Sequence, residues 1–341
     1  MMDLTRSGPI FCFGEVLLRL NPPAGTPLAD ARQLSLHIGG AEANVAAALA
    51  QLGRHVQMLT VLPEGPLGDL ALGELRRAGI GTASVLRREG RLGLYFLDPG
   101  AGVRPSRIRY DRAGSAFALH AEAFDWAELA RGASWFHVSG ITPAVGEAGA
   151  EAARAAVRAM RQAGVPVSFD ANYRSALWAG READAVASFR DMAEGSDLLF
   201  AGAHDIARAL GPEAGGDMPQ ARRAAAEAAF DAFPNLRLIA STRREIAPGG
   251  AQRLGARLDA RDGGLETPSA ELGAVVDRIG SGDAFAGAVI DAVLRRQPLE
   301  TCARLGLAAA ALKHGIAGDR WIGSRDDLER FNPETELDVQ R

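Results

Sequence analysis

The apolar residues beyond position 133 fall into short runs that alternate with longer segments of helical periodicity. The short runs indicate strands, and apolar residues that recur every three or four positions indicate helices. The predicted strands are 134–139, 165–169, 197–200 and 236–241, and the predicted helices include 147–163 and 181–194. Repeated strand–helix–strand units of this kind predict a parallel sheet with helices on both faces. In such sheets, ligands bind beyond the carboxyl ends of the strands.

The first eighty residues follow the same alternation. Residues 10–20 form a nearly continuous apolar run, which predicts one buried strand. Gly39-Gly40 precede a helical segment that ends at Gly53, where a glycine is suited to stop a helix. A strand at 55–62 and a helix at 67–78 complete a second unit. The amino-terminal part therefore belongs to the same α/β fold.

Residues 82–110 differ, because short strand patterns follow one another with no helix between them. The patterns at 84–87, 92–97 and 107–110 predict an antiparallel hairpin group. Inserted between strand–helix units, this group would form a lid over one edge of the main sheet. We expect the lid to comprise about residues 16–38 and 88–117.

The distribution of tyrosine adds weight to this interpretation. Two of the three tyrosines, Tyr95 and Tyr110, lie in the predicted lid strands, and Arg112 follows them closely. The third, Tyr173, lies in the loop after the strand 165–169. This distribution favours a polar, aromatic pocket between lid and sheet, although ordinary strand surface would show the same residues.

One stretch near residue 280 carries the most specific chemistry. Val275-Val276 end a strand-like run, Gly280-Ser281-Gly282 form a tight turn, and a helix is predicted over 284–294. The first backbone N–H groups of a helix have no intrahelical partner, and the helix dipole is positive there. Glycines also let a ligand approach the backbone closely. The stretch therefore predicts an anion site suited to phosphate.

Asp283 lies in this turn, beside the predicted anion site. A carboxylate in that position is suited to accept a proton from a hydroxyl that attacks a phosphoryl group. The alternative is that Asp283 caps the helix and the glycines form a simple loop. The stretch is not a Walker A loop, since no Lys-Ser/Thr follows the glycines, and it lacks the dinucleotide-binding Gly-x-Gly-x-x-Gly spacing.

Polar side chains elsewhere are expected at the same edge of the sheet. Asp170-Ala171-Asn172-Tyr173-Arg174 follow the strand 165–169, and Arg174 is suited to hold a carboxylate or a phosphate. Asn44, near the first turn of its helix, is suited to bond a sugar hydroxyl. The alternatives are a surface ion pair for Arg174 and local backbone bonding for Asn44. Glu15 either faces the site or pairs with an arginine.

Composition excludes several other classes. The chain has 341 residues, a net charge of −4 and a pI of about 5.9, so nothing points to nucleic acid or an anionic membrane surface. No uncharged apolar run reaches the length of about 18 residues that a membrane helix requires. Cys12 and Cys302 lie in apolar runs and are expected as reduced core residues. We expect a cytoplasmic protein.

Together these segments resemble the PfkB-type, or ribokinase-like, family of carbohydrate kinases. Gly39-Gly40-x-x-x-Asn44, with Leu52-Gly53, is similar to the amino-terminal signature of the family. Asp277-Arg278-Ile279-Gly280-Ser281-Gly282-Asp283 is similar to the carboxyl-terminal signature, whose aspartate is the catalytic base. The resemblance implies a single kinase domain over residues 1–341, with a three-layer α/β/α fold, a mainly parallel sheet and a small β lid.

Within the family, the sequence resembles the 2-keto-3-deoxygluconate kinase branch. The segments that carry this likeness are Gly14-Glu15, Arg104-Pro105-Ser106, Tyr110-Asp111-Arg112, Asp170-x-Asn172-Tyr173-Arg174 with Leu177-Trp178, and Lys313-His314 through Gly318-Asp319. The implied anion hole is Gly280, Ser281 and Gly282. The implied contacts with the sugar acid are Gly39, Gly40, Asn44, Tyr95, Tyr110, Arg112, Asn172, Arg174 and Asp319.

Two segments depart from the family pattern. The family's Asn-x-x-Glu motif, which helps to organise magnesium, is replaced by Gly202-Ala203-His204-Asp205, so the metal ligands are unknown and Asp205 would act at most indirectly. The nucleotide loop reads Ser241-Thr242-Arg243-Arg244-Glu245-Ile246, with Gly249-Gly250 later, instead of Lys-x-Gly-x-x-Gly. Ser241, Thr242 and Arg243, with Gly280 and Gly282, are the expected nucleotide contacts.

The resemblance implies a phosphotransferase with an alcohol acceptor. It would use ATP and Mg²⁺ to phosphorylate the 6-hydroxyl of 2-keto-3-deoxygluconate, a step of Entner–Doudoroff carbohydrate metabolism. Another sugar, as in fructokinase or ribokinase, is one alternative, and a sugar- or nucleotide-binding relative without catalysis is another. The implied partners are the small sugar acid and ATP, and a homo-oligomer formed through the lid strands is expected.

Overall fold

A computed structural model describes residues 2, 4–100, 104–211, 218–246 and 251–333. The strands of this part are, in chain order, β1 (Ile10–Phe13), β2 (Leu17–Asn21), β3 (Ser35–Gly39), β4 (Val56–Pro63), β5 (Val85–Arg88), β6 (Gly93–Asp98), β7 (Arg107–Asp111), β8 (Trp135–Ser139), β9 (Val167–Asp170), β10 (Leu198–Phe200), β11 (Leu238–Ile246), β12 (Gln252–Ala260), β13 (Gly263–Glu266) and β14 (Ala270–Leu272).

The α-helices of the same residues are α1 (Ala41–Gln51), α2 (Pro66–Arg77), α3 (Ala116–His120), α4 (Trp126–Gly132), α5 (Ile141–Ala144), α6 (Glu147–Gln162), α7 (Ser175–Trp178), α8 (Glu182–Glu194), α9 (Ala203–Leu210), α10 (Pro219–Ala232), α11 (Ser281–Leu294), α12 (Leu299–Lys313) and α13 (Arg325–Arg330). A short 3-10 helix spans Leu28–Asp30. None of the described helices has both the length and the apolar character needed to cross a membrane.

The main sheet has the strand order β13-β12-β11-β10-β9-β8-β1-β4-β5, and β14 also pairs with β12. All neighbours from β5 to β11 are parallel, because a helix returns the chain between consecutive strands. Strands β12, β13 and β14 add antiparallel pairs at one edge. The predicted α/β fold with a mainly parallel sheet is therefore confirmed.

Helices cover both faces of this sheet, and each face has its own apolar core. On one face, Leu49 of α1 and Val289 of α11 pack with Met58 of β4. On the other face, Met160 of α6 and Phe136 of β8 belong to a second cluster. Because both faces are covered, the central strands are buried along their whole length, which explains their nearly continuous apolar sequences.

A second, four-stranded sheet has the order β3-β2-β6-β7. Strand β2 pairs parallel with β6, while the β2–β3 and β6–β7 pairs are antiparallel. The sheet lies within the two segments predicted for the lid. The strand predicted at 84–87 does not belong to it: β5 pairs parallel with β4 and extends the edge of the main sheet. Helix α2 provides the crossover that this parallel pairing requires.

The single strand predicted over residues 10–20 is wrong, because the chain divides there between the two sheets. Strand β1 ends at Phe13 in the main sheet, and β2 begins at Leu17 in the small sheet. The break falls at Gly14, where the buried carboxylate of Glu42 packs against the backbone. A Cβ at Gly14 would lie 2.1 Å from Glu42 Oε2, so a side chain is excluded at this position.

The segment around residue 280 also differs from expectation. Val275 and Val276 belong to no strand, and the Val276 side chain is 62% exposed. The backbone N–H of Val276 instead donates to the carbonyl of His314 over 2.8 Å. Helix α11 begins at Ser281, three residues before the predicted start. Gly282 and Asp283 therefore belong to the first turn of the helix.

Candidate active site

A cavity of about 550 Å³ lies between the carboxyl edge of the main sheet and the small sheet. Asp170 contributes from the end of β9, Tyr95 and Tyr110 from the small sheet, and Gly280 and Asp283 from the start of α11. The other site candidates from the sequence that line it are Gly40, Asn44, Arg112, Asn172, Arg174, Ser281, Gly282 and Asp319. The loops expected to converge at this edge do so.

Gly280 is the residue that shapes the turn before α11. It has φ +82°, in the left-handed region that glycine adopts without strain, and a Cβ at this position would lie 1.8 Å from the carbonyl oxygen of Asp319. The N–H of Ser281 donates to the Arg278 carbonyl over 3.3 Å. No acceptor among the described residues takes the N–H groups of Gly282 and Asp283. These two donors and the positive end of the helix dipole make the turn a candidate anion site.

Asp283 faces the cavity from the first turn of α11 and is only 9% exposed. It does not cap the helix, because Gly280 occupies the cap position and receives no side-chain hydrogen bond. Asn44 Nδ2 donates to Asp283 Oδ2 over 2.7 Å, so Asn44 does not bond its own backbone either. Burial raises the pKa of Asp283 from 3.8 to about 7, against the lowering effects of Asn44 and Arg174. A carboxyl with this pKa exchanges a proton near neutrality.

Asp170 is a second acid in the same cavity. Desolvation, and then the charge of Asp283, raises its pKa from 3.8 to about 8. Its Oδ1 accepts the backbone N–H of Asn172 over 3.0 Å, an arrangement that fits the left-handed backbone of Asn172, with φ +39°. Arg174 lowers the pKa of both acids, and no acidic side chain in the described structure lies within ion-pair distance of it. Arg174 is thus an exposed cation at the cavity wall.

The small-sheet side of the cavity is held by a buried ionic network. Arg19 of β2 bridges Asp277 and Asp319, at 2.7 and 2.9 Å. The Tyr95 hydroxyl donates to Asp319, which is itself buried. Burial and the neighbouring carboxylate raise the pKa of Tyr95 well above its ordinary 10, so the hydroxyl keeps its proton. This network joins the small sheet to both loops beside Gly280.

Lys313 supports the same region from below. Its side chain is fully buried, and its ammonium donates to the carbonyl oxygens of Ile316 and Asp277, at 2.8 and 3.3 Å. The Asp277 carboxylate in turn accepts the N–H groups of Ile279 and Gly318. A buried ammonium needs such partners, and here they tie together the two backbone segments that flank the glycine turn.

Arg112, which lines the cavity, forms a second buried ion pair with Glu15. Of the two alternatives for Glu15, the structure therefore has the arginine pair. The Arg112 guanidinium carbon lies over the Tyr110 ring, 5.9 Å from the ring centroid. The centroids of the Tyr110 and Tyr95 rings are 6.2 Å apart. Arg112 still lines the cavity, but part of its charge is neutralised by Glu15.

Several predicted contacts lie elsewhere. Tyr173 does not line the cavity, although Asn172 and Arg174 on either side of it do; its ring instead stacks on Arg208, 3.7 Å from the guanidinium carbon. Gly39 contacts Asp319, and a Cβ there would lie 2.1 Å from its Oδ2. Asp205 caps α9 at Gly202 and pairs with Arg208.

The nucleotide candidates on β11 are also separate from the anion site. Ser241, Thr242 and Arg243 line a neighbouring cavity of about 310 Å³, with Gly202 and Thr267. Strand β11 continues to Ile246 and pairs with β12 along its whole length, so the segment is an extended strand and not a compact glycine loop. Gly249 and Gly250, which the sequence suggested as part of this loop, lie outside the described residues.

Three charged residues of the cavity, Asp170, Arg244 and Arg278, were given no individual role from the sequence. Asp170 ends β9, so its position at a carboxyl strand end was the signal that could have marked it. Arg244 and Arg278 also line the cavity. The sequence marked these two arginines less clearly. Arg243 and Arg244 are neighbours on one strand, and only the alternation of side chains between the two faces distinguishes them.

Comparison with known proteins agrees with this geometry. The sequence profile described as "pfkB family carbohydrate kinase" matches residues 9–320. The chain therefore belongs to the PfkB family of carbohydrate kinases. It is a sugar phosphotransferase, and the predicted family, fold class and enzyme class are confirmed.

Three relatives show where in the family the chain lies. It is 36% identical to the 2-dehydro-3-deoxygalactonokinase of Haloferax volcanii, over 93% of this chain and 94% of that protein. It is 27% identical to the 2-dehydro-3-deoxygluconokinase of Bacillus subtilis, over 94% of each chain. The crystal structure of 2-dehydro-3-deoxygluconokinase from Thermotoga maritima superposes with a TM-score of 0.89 and 37% identity, covering 95% of this chain and 99% of that one.

Proposed function

We propose that the enzyme transfers the γ-phosphoryl group of ATP to the 6-hydroxyl of 2-keto-3-deoxygluconate, which is also called 2-dehydro-3-deoxygluconate. The product would be 2-keto-3-deoxy-6-phosphogluconate. The observation that carries the proposal is one cavity holding a buried carboxyl with a pKa near 7, free helix N–H donors and an unpaired arginine. The relatives that act on 2-dehydro-3-deoxy sugar acids support the substrate class.

Asp283 is the general base in this proposal. Its ionised form accepts the proton of the attacking hydroxyl, and a pKa of about 7 leaves it both partly ionised and basic enough at neutral pH. The hydrogen bond from Asn44 fixes the carboxylate and leaves its other oxygen for the substrate. Asn44 would thereby orient the base while it lines the sugar pocket.

The backbone at the start of α11 would stabilise the charge on the transferring phosphoryl group. The sequence named Gly280, Ser281 and Gly282 for this role. Since the Ser281 N–H already donates to Arg278, the donors best suited to the role are those of Gly282 and Asp283. Preorganised donors of this type typically contribute about 10²–10³ in rate.

The sugar acid would lie between β9 and the small sheet. Arg174 is the best candidate to bind its carboxylate, because the guanidinium is exposed and has no acidic partner among the described side chains. The remaining groups of the sugar acid would contact the polar side chains of Asn172 and Tyr110 and the backbone of Gly40, which a ligand can approach closely. Arg112, Tyr95 and Asp319 are already paired, and we infer that they shape this pocket more than they bind the substrate.

Magnesium fits the donor set without a dedicated protein cage. Among the described residues no three His, Cys, Asp or Glu side chains converge on one point. Mg²⁺ is commonly bound by one or two carboxylates together with substrate phosphates. Asp170, held near other acids, has one oxygen without a protein donor and would contribute such a ligand, while Asp205 would act only through its charge. The bound ion would neutralise phosphate charge.

The nucleotide would extend from the glycine turn toward β11. The cavity lined by Ser241, Thr242 and Arg243 adjoins the site and has room for part of a nucleotide. A lid made of the small sheet would then cover the sugar and exclude water, to which the phosphoryl group would otherwise be lost. Arg19 and Tyr95 connect this lid to the loops beside the glycine turn.

A homo-oligomer is the proposed assembly. Strand β3 is an edge strand of the small sheet, and its Leu36 is 56% exposed. Leu36 shares a shallow cavity with Leu70 and the 61% exposed Ile322. Exposed apolar edge strands are usually covered, and a second copy of the chain would cover this one.

The galactonate epimer is the second candidate substrate. The relative from Haloferax volcanii, named for that epimer, is 36% identical, which is close to the identity with the gluconate enzyme of known structure. The two sugar acids differ in the configuration of one hydroxyl, so the same cavity would serve both.

A coupled assay of ATP consumption tests the proposal. It compares 2-keto-3-deoxygluconate, its galactonate epimer, fructose and ribose, with the Arg174→Gln variant as a second enzyme. We expect activity on the keto-deoxy acids, weak activity on neutral sugars, and a raised KM for the acids alone in the variant. Preference for a neutral sugar, or an unchanged KM for the acids in Arg174→Gln, would refute the role of the carboxylate.

A further inference from the structure

Two arginines beside the glycine turn have no ion-pair partner among the residues that the structure describes. Arg244 on β11 and Arg278 before α11 both line the main cavity, and both also line a second cavity of about 580 Å³ beneath the small sheet. Neither guanidinium makes an ion pair or a hydrogen bond within the described part of the chain. Most arginines of this protein do have such partners, so two unpaired ones on one cavity wall form a distinct feature.

Arg243 and Arg244 project from opposite faces of β11. Arg243 and Glu245 lie two residues apart, hence on one face of the strand, and they form an ion pair. Arg244 is on the other face, opposite Leu254 of β12, and Leu254 lines the main cavity with it. Arg243 is therefore neutralised by its neighbour, whereas Arg244 presents a full charge to the cavity.

Arg244 also lies where the cavities meet. It lines the cavity of Ser241, Thr242 and Arg243, and it lines the one that holds Gly280 and Asp283. A ligand that extends from the first cavity to the glycine turn must pass this side chain. Arg278 stands two residues before Gly280 and shares the passage.

The surroundings of the two arginines are cationic. Desolvation and the charge of Arg278 lower the pKa of Arg244. Burial, Lys313, Arg244 and Arg278 lower the pKa of His314, which lines the cavity and whose Nδ1 lies 2.7 Å from the Ala310 carbonyl oxygen. The three acids that line the main cavity, Asp170, Asp283 and Asp319, form no ion pair with either arginine in the described structure, and Asp319 is paired with Arg19. Such a region repels cations and attracts a multiply charged anion.

We propose that Arg244 and Arg278 form a clamp for the polyphosphate of the nucleoside triphosphate and hold its terminal phosphate at the glycine turn. This inference rests on the proposed kinase function and identifies two residues that were not among the expected nucleotide contacts. Guanidinium groups suit the task because they bind phosphate oxygens through two parallel N–H donors. The two positive charges repel each other in the free enzyme. A polyphosphate bound between them would relieve this repulsion, which favours binding of an anion at this position.

The test compares Arg244→Gln, Arg278→Gln and the double variant with Arg253→Gln. Arg253 is an exposed arginine on β12 of the same hairpin, paired with Glu271, so its replacement changes net charge equally and lies outside the site. We expect the KM for ATP to rise about 10- to 100-fold in each single variant, with the sugar KM changed less than about twofold. Arg253→Gln should leave both constants near wild type.

Direct binding separates phosphate recognition from base recognition. Calorimetry with ATP, AMP and inorganic tripolyphosphate on each folded variant should show weaker ATP and tripolyphosphate binding and unchanged AMP binding. Added salt should weaken ATP binding less in the variants than in wild type, since fewer charges contribute. Circular dichroism and thermal unfolding confirm that each variant is folded.

Three results would overturn the clamp: wild-type ATP affinity in the double variant, equal losses for AMP and ATP, or a larger loss in Arg243→Gln than in Arg244→Gln. Failure of the kinase proposal looks different. In that case the wild-type chain phosphorylates no sugar, and the binding comparison with tripolyphosphate still decides whether the arginines hold a polyphosphate.

Discussion

Asn44 and Asp283 lie 239 residues apart in the chain and are joined by a hydrogen bond of 2.7 Å. Each side chain projects from the first turn of a helix that follows a glycine turn, α1 for Asn44 and α11 for Asp283. The two helices pack in one apolar core, so the bond closes the site from two distant segments. The contact also sets the electrostatics, because the Asn44 amide is the strongest influence that lowers the pKa of Asp283.

Asn44→Ala should therefore raise the pKa of Asp283 further. The base works in its ionised form, so the rate rises with pH as Asp283 loses its proton. Loss of the amide should move the acid limb of kcat/KM about one unit toward higher pH, with the largest loss of rate below pH 7. A pH–rate profile measures this shift.

Gln51→Ala is the matched control, since Gln51 is an exposed amide at the far end of the same helix. Its profile should coincide with that of the wild type. An acid limb that stays in place in Asn44→Ala would show that the amide does not tune the base, whatever happens to the sugar KM.

Asp283→Asn should stabilise the fold at and above neutral pH. The folded pKa of about 7 exceeds the ordinary 3.8, so between these values the folded state binds more protons than the unfolded chain. The contribution of this carboxyl to stability is therefore lost as pH rises through that window. Replacing it should add on the order of 3 kcal/mol to the free energy of unfolding at pH 8.

Urea unfolding at pH 4.0 and pH 8.0 checks the sign of this effect. The free energy of unfolding of Asp283→Asn should exceed that of wild type by a small amount at pH 4.0 and by a large amount at pH 8.0. Asp170→Asn should behave in the same way, because burial and Asp283 raise the pKa of Asp170 as well. A gain that is independent of pH would contradict the assignment of raised pKa values.

We expect Tyr95 to have a structural role and Tyr110 a role in substrate binding, and phenylalanine variants of the two should show this difference. Tyr95→Phe removes a buried hydrogen bond to Asp319 and should lower the free energy of unfolding by about 1–3 kcal/mol. In the described structure the Tyr110 hydroxyl has no protein partner, so Tyr110→Phe should cost less than about 0.5 kcal/mol. We expect Tyr110→Phe to raise the sugar KM. Equal losses of stability in the two variants would disprove the distinction.

Local sequence patterns predicted many of the elements that position the site. Apolar periodicity predicted the parallel strands β8 to β11 and helices between them, because each of these strands is covered on both faces. The glycine turn before α11 was predicted from residue type alone, since the φ of Gly280 and its close approach to Asp319 leave no other choice.

Long-range pairing could not be predicted in this way. The break between β1 and β2 depends on Glu42, which lies beneath Gly14 only in the folded chain. The pairing of Tyr95 and Arg19 with Asp319 joins segments more than two hundred residues apart, so no spacing in the sequence reveals it. Arg244 was missed in favour of Arg243 because the sequence suggested a loop here, whereas in a strand the alternation of faces places Arg244, and not Arg243, at the main cavity.

The turnover of Asp283→Asn tests the central claim most directly. The variant keeps the shape of the side chain and an oxygen for Asn44, and it removes only the capacity to accept a proton. With 2-keto-3-deoxygluconate and ATP, we expect kcat to fall by about 10³-fold or more, while calorimetry shows both ligands bound as in wild type. A kcat close to that of the wild-type enzyme, with the same binding, would show that Asp283 is not the base.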